Sequence, residues 1–403
     1  MNGPMPADAP SSTQESLLAI FLRFLRFGFL AWGGPVAQIA MIRRELVDEE
    51  KWLAPDQFNR LLAAYQVLPG PEAHELCVHM GTLRAGRFGG FLAGLGFMLP
   101  GFVLVLGISA LYARIALDQP PLIAIFLGMQ IAVIAIIVRA VHRIGEHVLV
   151  APWLWALAAL TFAGALMGAS FWISLPAAGI AYALTAAGRS IPAVLVVGAA
   201  ALLTWLLGAG ADPAIAAAPV IGDEAPGALT LLGTGLKAGL LTFGGAYTAI
   251  PFVRGDAVGR GWISDQTFLD GLALSSIVPA PLIIFATFVG YQVAGLAGAV
   301  AITVGIFLPA FVFGMVLTRS IERITEDERL HDFLEGVAAG VVGLIAATAL
   351  DLSRGLLPKL PSLPLAALLF AACLAIAYWW KSKLNVLAIV AFAALGGWAM
   401  FAA

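Results

Sequence analysis

Apolar residues in this 403-residue chain come in long runs separated by short polar or Gly/Pro punctuation. Uncharged stretches such as 88–112 and 122–138 are long enough to cross a bilayer as helices. Barrel strands would instead read as about ten residues of alternating polarity. The pattern predicts helices at 15–34, 56–83, 88–113, 120–142, 149–168, 171–187 and 190–208. A second set falls at 227–246, 265–292, 295–318, 331–352, 363–380 and 384–402. The tally is six, one, six, with 190–208 as the odd helix. An even set of crossings returns to its starting side, and one extra crossing makes the second set begin on the opposite side. The fold expected is therefore an all-α polytopic membrane protein of about 13 transmembrane helices. It would consist of two inverted six-helix repeats and one linking helix, each repeat with a proline-broken helix or hairpin. The expected divisions are a disordered tail at 1–14, a first repeat at 15–188, a linker helix and external loop at 189–226, and a second repeat at 227–403.

The punctuation itself is written twice. Trp32-Gly33-Gly34-Pro35 returns as Phe243-Gly244-Gly245-Ala246, Leu68-Pro69-Gly70-Pro71 as Val278-Pro279-Ala280-Pro281, and Leu99-Pro100-Gly101-Phe102 as Leu308-Pro309-Ala310-Phe311. The offsets are 211, 210 and 209, so two single-residue gaps align the three motifs. Across 81–103 against 290–312, 9 of 23 positions are identical. Paired, broken hydrophobic segments at matching places in two halves point to a transporter binding site.

Composition agrees with a membrane chain. It is 61% hydrophobic and 11% charged, against about 25% charged in soluble domains. A net charge of −2 suggests no nucleic-acid partner. Cys77 and Cys373 lie in apolar runs and read as small core residues, and no metal-type cluster or cofactor motif is visible. With the N-terminus taken as cytoplasmic, fourteen Lys and Arg face inside and seven outside, which follows the positive-inside rule and puts the C-terminus outside. The loop 43–60 departs from it, with Arg43, Arg44, Lys51 and Arg60 on the nominal outside; its Leu46, Val47, Trp52 and Leu53 suggest an interfacial segment.

Pro69 and Pro71 remove two backbone donors near the middle of 56–83, so a helix must break there. The half-helix that follows would aim unpaired N–H groups and a partial positive charge at mid-membrane, an anion site. Pro279-Ala280-Pro281 would supply the inverted partner, the alternative being a structural kink without ligand. Gly33, Gly34 and Pro35, with Gly244 and Gly245, would form a wall or hinge of the same cavity, or a tight packing point. Lys237, the base well inside a span, could face an anionic substrate, or it could pair with Asp270, Glu335 or Asp351 or snorkel to the surface. Glu72, His74 and Glu75, with His79, follow the first break; they either cap the half-helix or couple protons to the anion. The four-residue glycine spacings at Gly86, Gly90 and Gly94 and at Gly336 and Gly340 suit packing within the monomer, with a homodimer seam as the alternative.

These motifs, in this order, resemble the chromate ion transporter family. Its pattern of a Phe-Gly-Gly-Pro-like element, a downstream Trp, a Pro-Gly-Pro element and a Leu-Pro-Gly element appears as Trp32-Gly33-Gly34-Pro35, Trp52, Pro69-Gly70-Pro71 and Leu99-Pro100-Gly101. The second-half matches include Trp262. The resemblance covers the whole chain, as in long two-domain members. It implies chromate transport across the inner membrane, efflux conferring resistance, the proton gradient as energy source, and oppositely oriented halves. Trp32, Ala246, Ala280 and Ala310 depart from the pattern, as does Glu72-Ala73-His74-Glu75, where smaller polar residues and a Gln are more usual. The last departure bears most on substrate, because it changes charge beside the expected site. The reading is a secondary transporter, not an enzyme, for a tetrahedral oxyanion in a lipid bilayer: chromate first, sulfate as its near-isostere. The rivals are a passive anion channel, a transporter of another small solute, and a non-transporting scaffold.

Overall fold

The computed structural model describes residues 15–115, 119–208, 226–243, 245–316 and 327–402. The expectations for the tail 1–14, for most of the loop after 208 and for Gly244 fall outside these residues. Fifteen α-helices and no strand form among the described residues.

The first helix, α1 (Leu17–Phe29), starts at Ser16, whose hydroxyl accepts from the Ala19 N–H at 3.2 Å. It has 13 residues, about 20 Å of helix and about two-thirds of a crossing. Gly33 (φ +90°) and Gly34 (φ +76°) then take left-handed conformations that a side chain would oppose. The chain turns into α2 (Gly34–Ile42), which runs on as a π-helical stretch, Arg43–Glu49. This second arm comes back along the first: Arg26 pairs with Glu45 and Arg23 with Glu50.

The next segment also folds back. α3 (Pro55–Val67) stops before Pro69, and α4 (Glu72–Tyr112) starts after Pro71. Fourteen residues of straight helix would separate Tyr65 from His79 by about 21 Å. Instead the Tyr65 hydroxyl lies 2.8 Å from His79 Nδ1. α4 turns again at Ala85 (φ −141°) and Gly86 (φ 67°). Its arms 72–84 and 87–112 then pack antiparallel, with Gly81 on Gly89 and His74 Nε2 3.2 Å from the Gly94 carbonyl oxygen.

The second half repeats this construction. α9 (Ala228–Leu240) leads through a short turn, Ala246–Ala249, into α10 (Ile250–Ala257). α11 (Asp265–Ser276), the break at 277–281 and a turn at Leu282–Ile284 lead into α12 (Phe285–Val316). α12 reverses at Ala294 (φ −143°) and Gly295 (φ 59°) as α4 does at Ala85 and Gly86. A Cβ at Gly96 would lie 2.7 Å from the Phe21 carbonyl oxygen; one at Gly305 would lie on that of Leu232. Gly81 against Gly89 has its counterpart in Gly290 against Gly298.

The directions of the halves follow from contacts along the arm 87–112. A Cβ at Gly28, near the inner end of α1, would meet Pro100 at 2.9 Å, so the first hairpin reaches the middle of this arm from its Arg87 end. At the same level Gly101 admits Ala280, from the second-half break. Toward the far end, Gln292 Nε2 donates to the Ser109 carbonyl oxygen at 3.2 Å, and the Tyr112 hydroxyl donates to Asp270 at 2.8 Å. The second-half hairpins thus descend from the opposite end, and all four tips approach mid-depth.

The breaks expected in 56–83 and 265–292 are present, and both segments fold back there into helical hairpins. The stretches 15–34 and 227–246, expected as unbroken helices, stop at Phe29 and Leu240 and turn into second arms. Hydropathy registers how apolar a segment is and not where it turns. Exchanging two crossings for two hairpins returns the chain to the same end, so the parity that predicted inversion survives. The loop 43–60 also moves: Arg84 pairs with Glu15 at 4.0 Å, and Arg23 and Arg84 stack on Trp52 at 5.3 and 5.2 Å. Its bases therefore lie at the N-terminal end of the molecule.

Around the hairpins stand α5 (Pro120–Val148), α6 (Pro152–Leu166), α7 (Phe171–Ala186), α8 (Ser190–Gly208), α13 (Glu328–Leu356), α14 (Leu363–Trp379) and α15 (Asn385–Phe401). The halves exchange partners here. α5 packs on α14 and α15, and α13 packs on α6 and α7. Gly336 of α13 accepts the Ala178 backbone at close range, as Gly128 of α5 accepts that of Ala393. The odd helix α8 packs on α7.

The hairpin topology is testable by cysteine labelling in sealed vesicles. Asp48→Cys and Arg87→Cys should react with an impermeant maleimide from one side, and Arg114→Cys from the other. Labelling of Asp48→Cys from the Arg114 side would restore the straight-helix topology.

Candidate binding site at the hairpin tips

Broken backbone at bilayer depth must find hydrogen-bond partners in protein or a cavity. At the first break the Gly70 N–H donates to the Thr242 carbonyl oxygen at 2.8 Å, across the two halves. Thr242 sits just after α9, next to the second Gly-Gly pair. Pro71 caps α4, and its carbonyl accepts from the His74 and Glu75 N–H groups at 2.8 and 3.1 Å. Pro69 and Gly70 make the tip itself, where Gly70 (φ +152°) leaves room for the Glu75 carboxyl. Pro281 caps the 282–284 turn, Pro279 and Ala280 precede it, and Ala280 rests on Gly101. Gly245 (φ +121°) opens the 246–249 turn.

Four helical N-termini thus begin at the tips: α2 after Gly33, α4 after Pro71, the 246–249 turn and the 282–284 turn. The Gly33–Gly34–Pro35 tip meets a different neighbour from the others. A Cβ at Gly33 would lie 3.0 Å from the Lys383 backbone, in the loop between α14 and α15. Beside the second-half tips lies a small apolar cleft. Its walls include Val133, Ile136 and Ile137 from α5 and Tyr247, Ser276 and Leu282 from the tips.

Among the described residues, the carboxyl and imidazole side chains at the breaks gather on the first tip. Glu75 is fully buried and neither carboxyl oxygen has a hydrogen-bond partner. Glu72, 9% exposed, is the first residue of the half-helix. His74 is buried between Phe307 and Phe311, each ring 4.8 Å away, and its Nδ1 has no partner. Arg143 lies on α5 six residues past Ile137, the last α5 residue of the cleft wall. One turn away, Arg139 lies over the Tyr378 ring at 4.5 Å, with one buried nitrogen unpartnered. These arginines read in sequence as loop bases at the end of a span; α5 runs past them to Val148.

Lys237 is not at the tips. Its ammonium pairs with Asp256, which also holds Arg260 at 3.2 Å, and it lies 5.3 Å from the Phe171 ring. None of the partners expected for it from sequence is the one found. The first half contains the same device: Arg26 and Glu45, each 211 residues earlier, form the equivalent pair. Both pairs hold a hairpin arm to its return. The repeat register carried this signal in the sequence, because each partner falls at one offset.

A family model described as a chromate transporter matches residues 18–205 and 229–398, two stretches that coincide with the two halves. The chain is 55% identical over 402 residues to a chromate transport protein of Pseudomonas aeruginosa, covering 98% of this chain and 97% of the relative. It is 30% identical over 421 residues to a chromate transport protein of Cupriavidus metallidurans, covering 98% of each. It is 28% identical over 403 residues to a probable chromate transport protein of Synechococcus elongatus, covering 95% of each. No solved structure matches the chain.

The repeated pair predicts a structural role for Lys237. Lys237→Ala should cost about 1 kcal/mol, because Asp256 keeps only the more exposed Arg260 as partner, seen as a lower melting temperature in detergent. Lys237→Ala combined with Asp256→Ala should recover much of that loss. A single variant as stable as the parent protein would contradict the pairing.

Proposed function

The chain belongs to the chromate transporter family, and from that premise we propose that it is a secondary active transporter exporting chromate across the inner membrane under the proton gradient. Sulfate, a dianion of the same tetrahedral shape, is the second substrate of this scheme. The observation that carries it is that each break packs on the opposite half, with Gly70 bonded to Thr242 and Ala280 seated on Gly101 midway along the arm 87–112. Helix N-termini from both halves face that level, and their N–H groups suit an oxyanion. Arg143 adds a full positive charge from α5.

Glu75 gives the scheme its coupling. Its carboxylate occupies the start of a half-helix, where an oxyanion would also be drawn, so the two compete. A proton on Glu75 removes that competition, and Glu72 and His74 stand beside it to exchange protons. Proton and anion thus occupy the site together, so each anion leaves with a proton and export is driven by the membrane potential acting on the remaining negative charge. One half then moves against the other to open the tips alternately to each side. The membrane potential, negative inside, favours this export by about 2.3 kcal/mol per net charge per 100 mV.

A cytoplasmic N-terminus fits this orientation. With the hairpins folded back, Arg43, Arg44, Lys51 and Arg60 join the inner set, and Arg254 and Arg260 leave it. The bias of fourteen to seven becomes sixteen to five.

Proteoliposomes test the proposal. Chromate flux should saturate, respond to an imposed pH gradient and be inhibited by sulfate. Glu75→Gln should keep chromate exchange at equal pH while losing most of the gradient response. No chromate flux, or an unsaturable conductance, would refute secondary transport.

A further inference from the structure

Among the described residues, one buried acid has neither a part in the scheme above nor a basic partner. Asp270, on α11, is 1% exposed. Its two oxygens are held by different donors, both from the first half. Tyr112 Oη donates to Oδ2 at 2.8 Å, and Gln130 Nε2 donates to Oδ1 at 2.7 Å. Tyr112 ends α4, and Gln130 lies one turn before the α5 wall of the cleft. A single carboxyl therefore ties the outer arm of a second-half hairpin to both long helices of the first half. Gln130 Oε1, on the same amide, is buried with no partner.

We propose that Asp270 is a proton-binding site that latches α11 to α4 and α5 as a carboxylate and changes the latch when it takes a proton. The proposal rests on the transporter reading above and adds a second proton site, on the opposite side of the tips from Arg143. As a carboxylate, Asp270 accepts from both donors. A proton on Oδ1 sets a donor against the Gln130 NH₂ group. Rotating the amide by half a turn replaces that clash with Oε1, which then accepts from the carboxylic acid. Both protonation states thus have a satisfied partner, and they differ in the geometry that joins the two halves.

Asp270 meets neutral donors and no ion pair. α12 and α15 bring no charged residue to it. From α13, Asp351 and Arg354 lie 3.6 Å apart as a pair. Lys359 donates to Gln266 at 3.0 Å, and Asp265 is held by Arg254 at 2.8 Å. Arg114 is exposed beyond the end of α4, and Arg139 and Arg143 lie more than two turns along α5 from Gln130. An ionisable group so placed within a membrane domain is costly unless it is used.

The test compares chromate exchange at equal pH with chromate flux driven by a pH gradient, in liposomes holding the full chain. Asp270→Asn should keep exchange near the wild-type rate and lose the gradient-driven component; Asp270→Glu should restore part of it. A wild-type gradient response in Asp270→Asn would overturn the proposal. So would loss of exchange in an Asp270→Asn protein that elutes and melts like wild type. If Asp270→Asn fails to fold, Tyr112→Phe replaces it: a shifted pH midpoint of driven flux supports the latch, and an unchanged midpoint overturns it. Wild-type protein that moves chromate but ignores the pH gradient refutes this proposal alone; wild-type protein that moves no chromate refutes the transport reading beneath it.

Discussion

A bilayer core offers no water to an unpaired backbone group, so every interruption of a helix at that depth needs a partner inside the protein. The two proline breaks create such interruptions, and the halves meet these needs together. Gly70 donates to Thr242, and Gly101 gives up its side chain so that Ala280 can approach. Loss of either half would leave the other with open backbone at mid-depth. The same requirement explains the glycines along α4 and α12: half-depth arms can be held only by close backbone approach to helices that cross fully.

The two halves share this frame and differ in their chemistry. Gly96 packs on α1 as Gly305 packs on α9, and Arg26–Glu45 is matched by Lys237–Asp256. At the tips the match ends. The first carries Glu72, His74 and Glu75; the second carries Leu282, Ile284 and Phe285 at the corresponding places. An apolar tip facing a titratable one is suited to a device in which one half manages charge while the other serves as a wall. Asp270 on the apolar half answers to donors from the first, so charge on either side of the tips is referred to the same pair of helices, α4 and α5.

The doubled motifs and the breaks were legible in the sequence because each leaves a local mark: a proline pair, a glycine pair. The fold-back was not. A 28-residue segment with a proline break reads alike whether it continues past the break or reverses, and the contact that decides it, Tyr65 with His79, is tertiary. The four bases of loop 43–60 on the wrong side were the trace it left. Lys237 was singled out for lying inside an apolar run, and its partner became visible only in register with Arg26 and Glu45. The tie from Asp270 to Tyr112 and Gln130 spans 158 and 140 residues, and no local pattern encodes it.

The claim on which the rest turns is that the two breaks form one oxyanion site at mid-depth. Anomalous scattering at the chromium edge, from crystals of the full chain grown with chromate, locates the anion without reference to any mechanism. The account predicts one strong peak within hydrogen-bonding reach of the first backbone N–H groups of α4. A peak at the Lys237–Asp256 pair or outside the hairpins, with none at the tips, would contradict it.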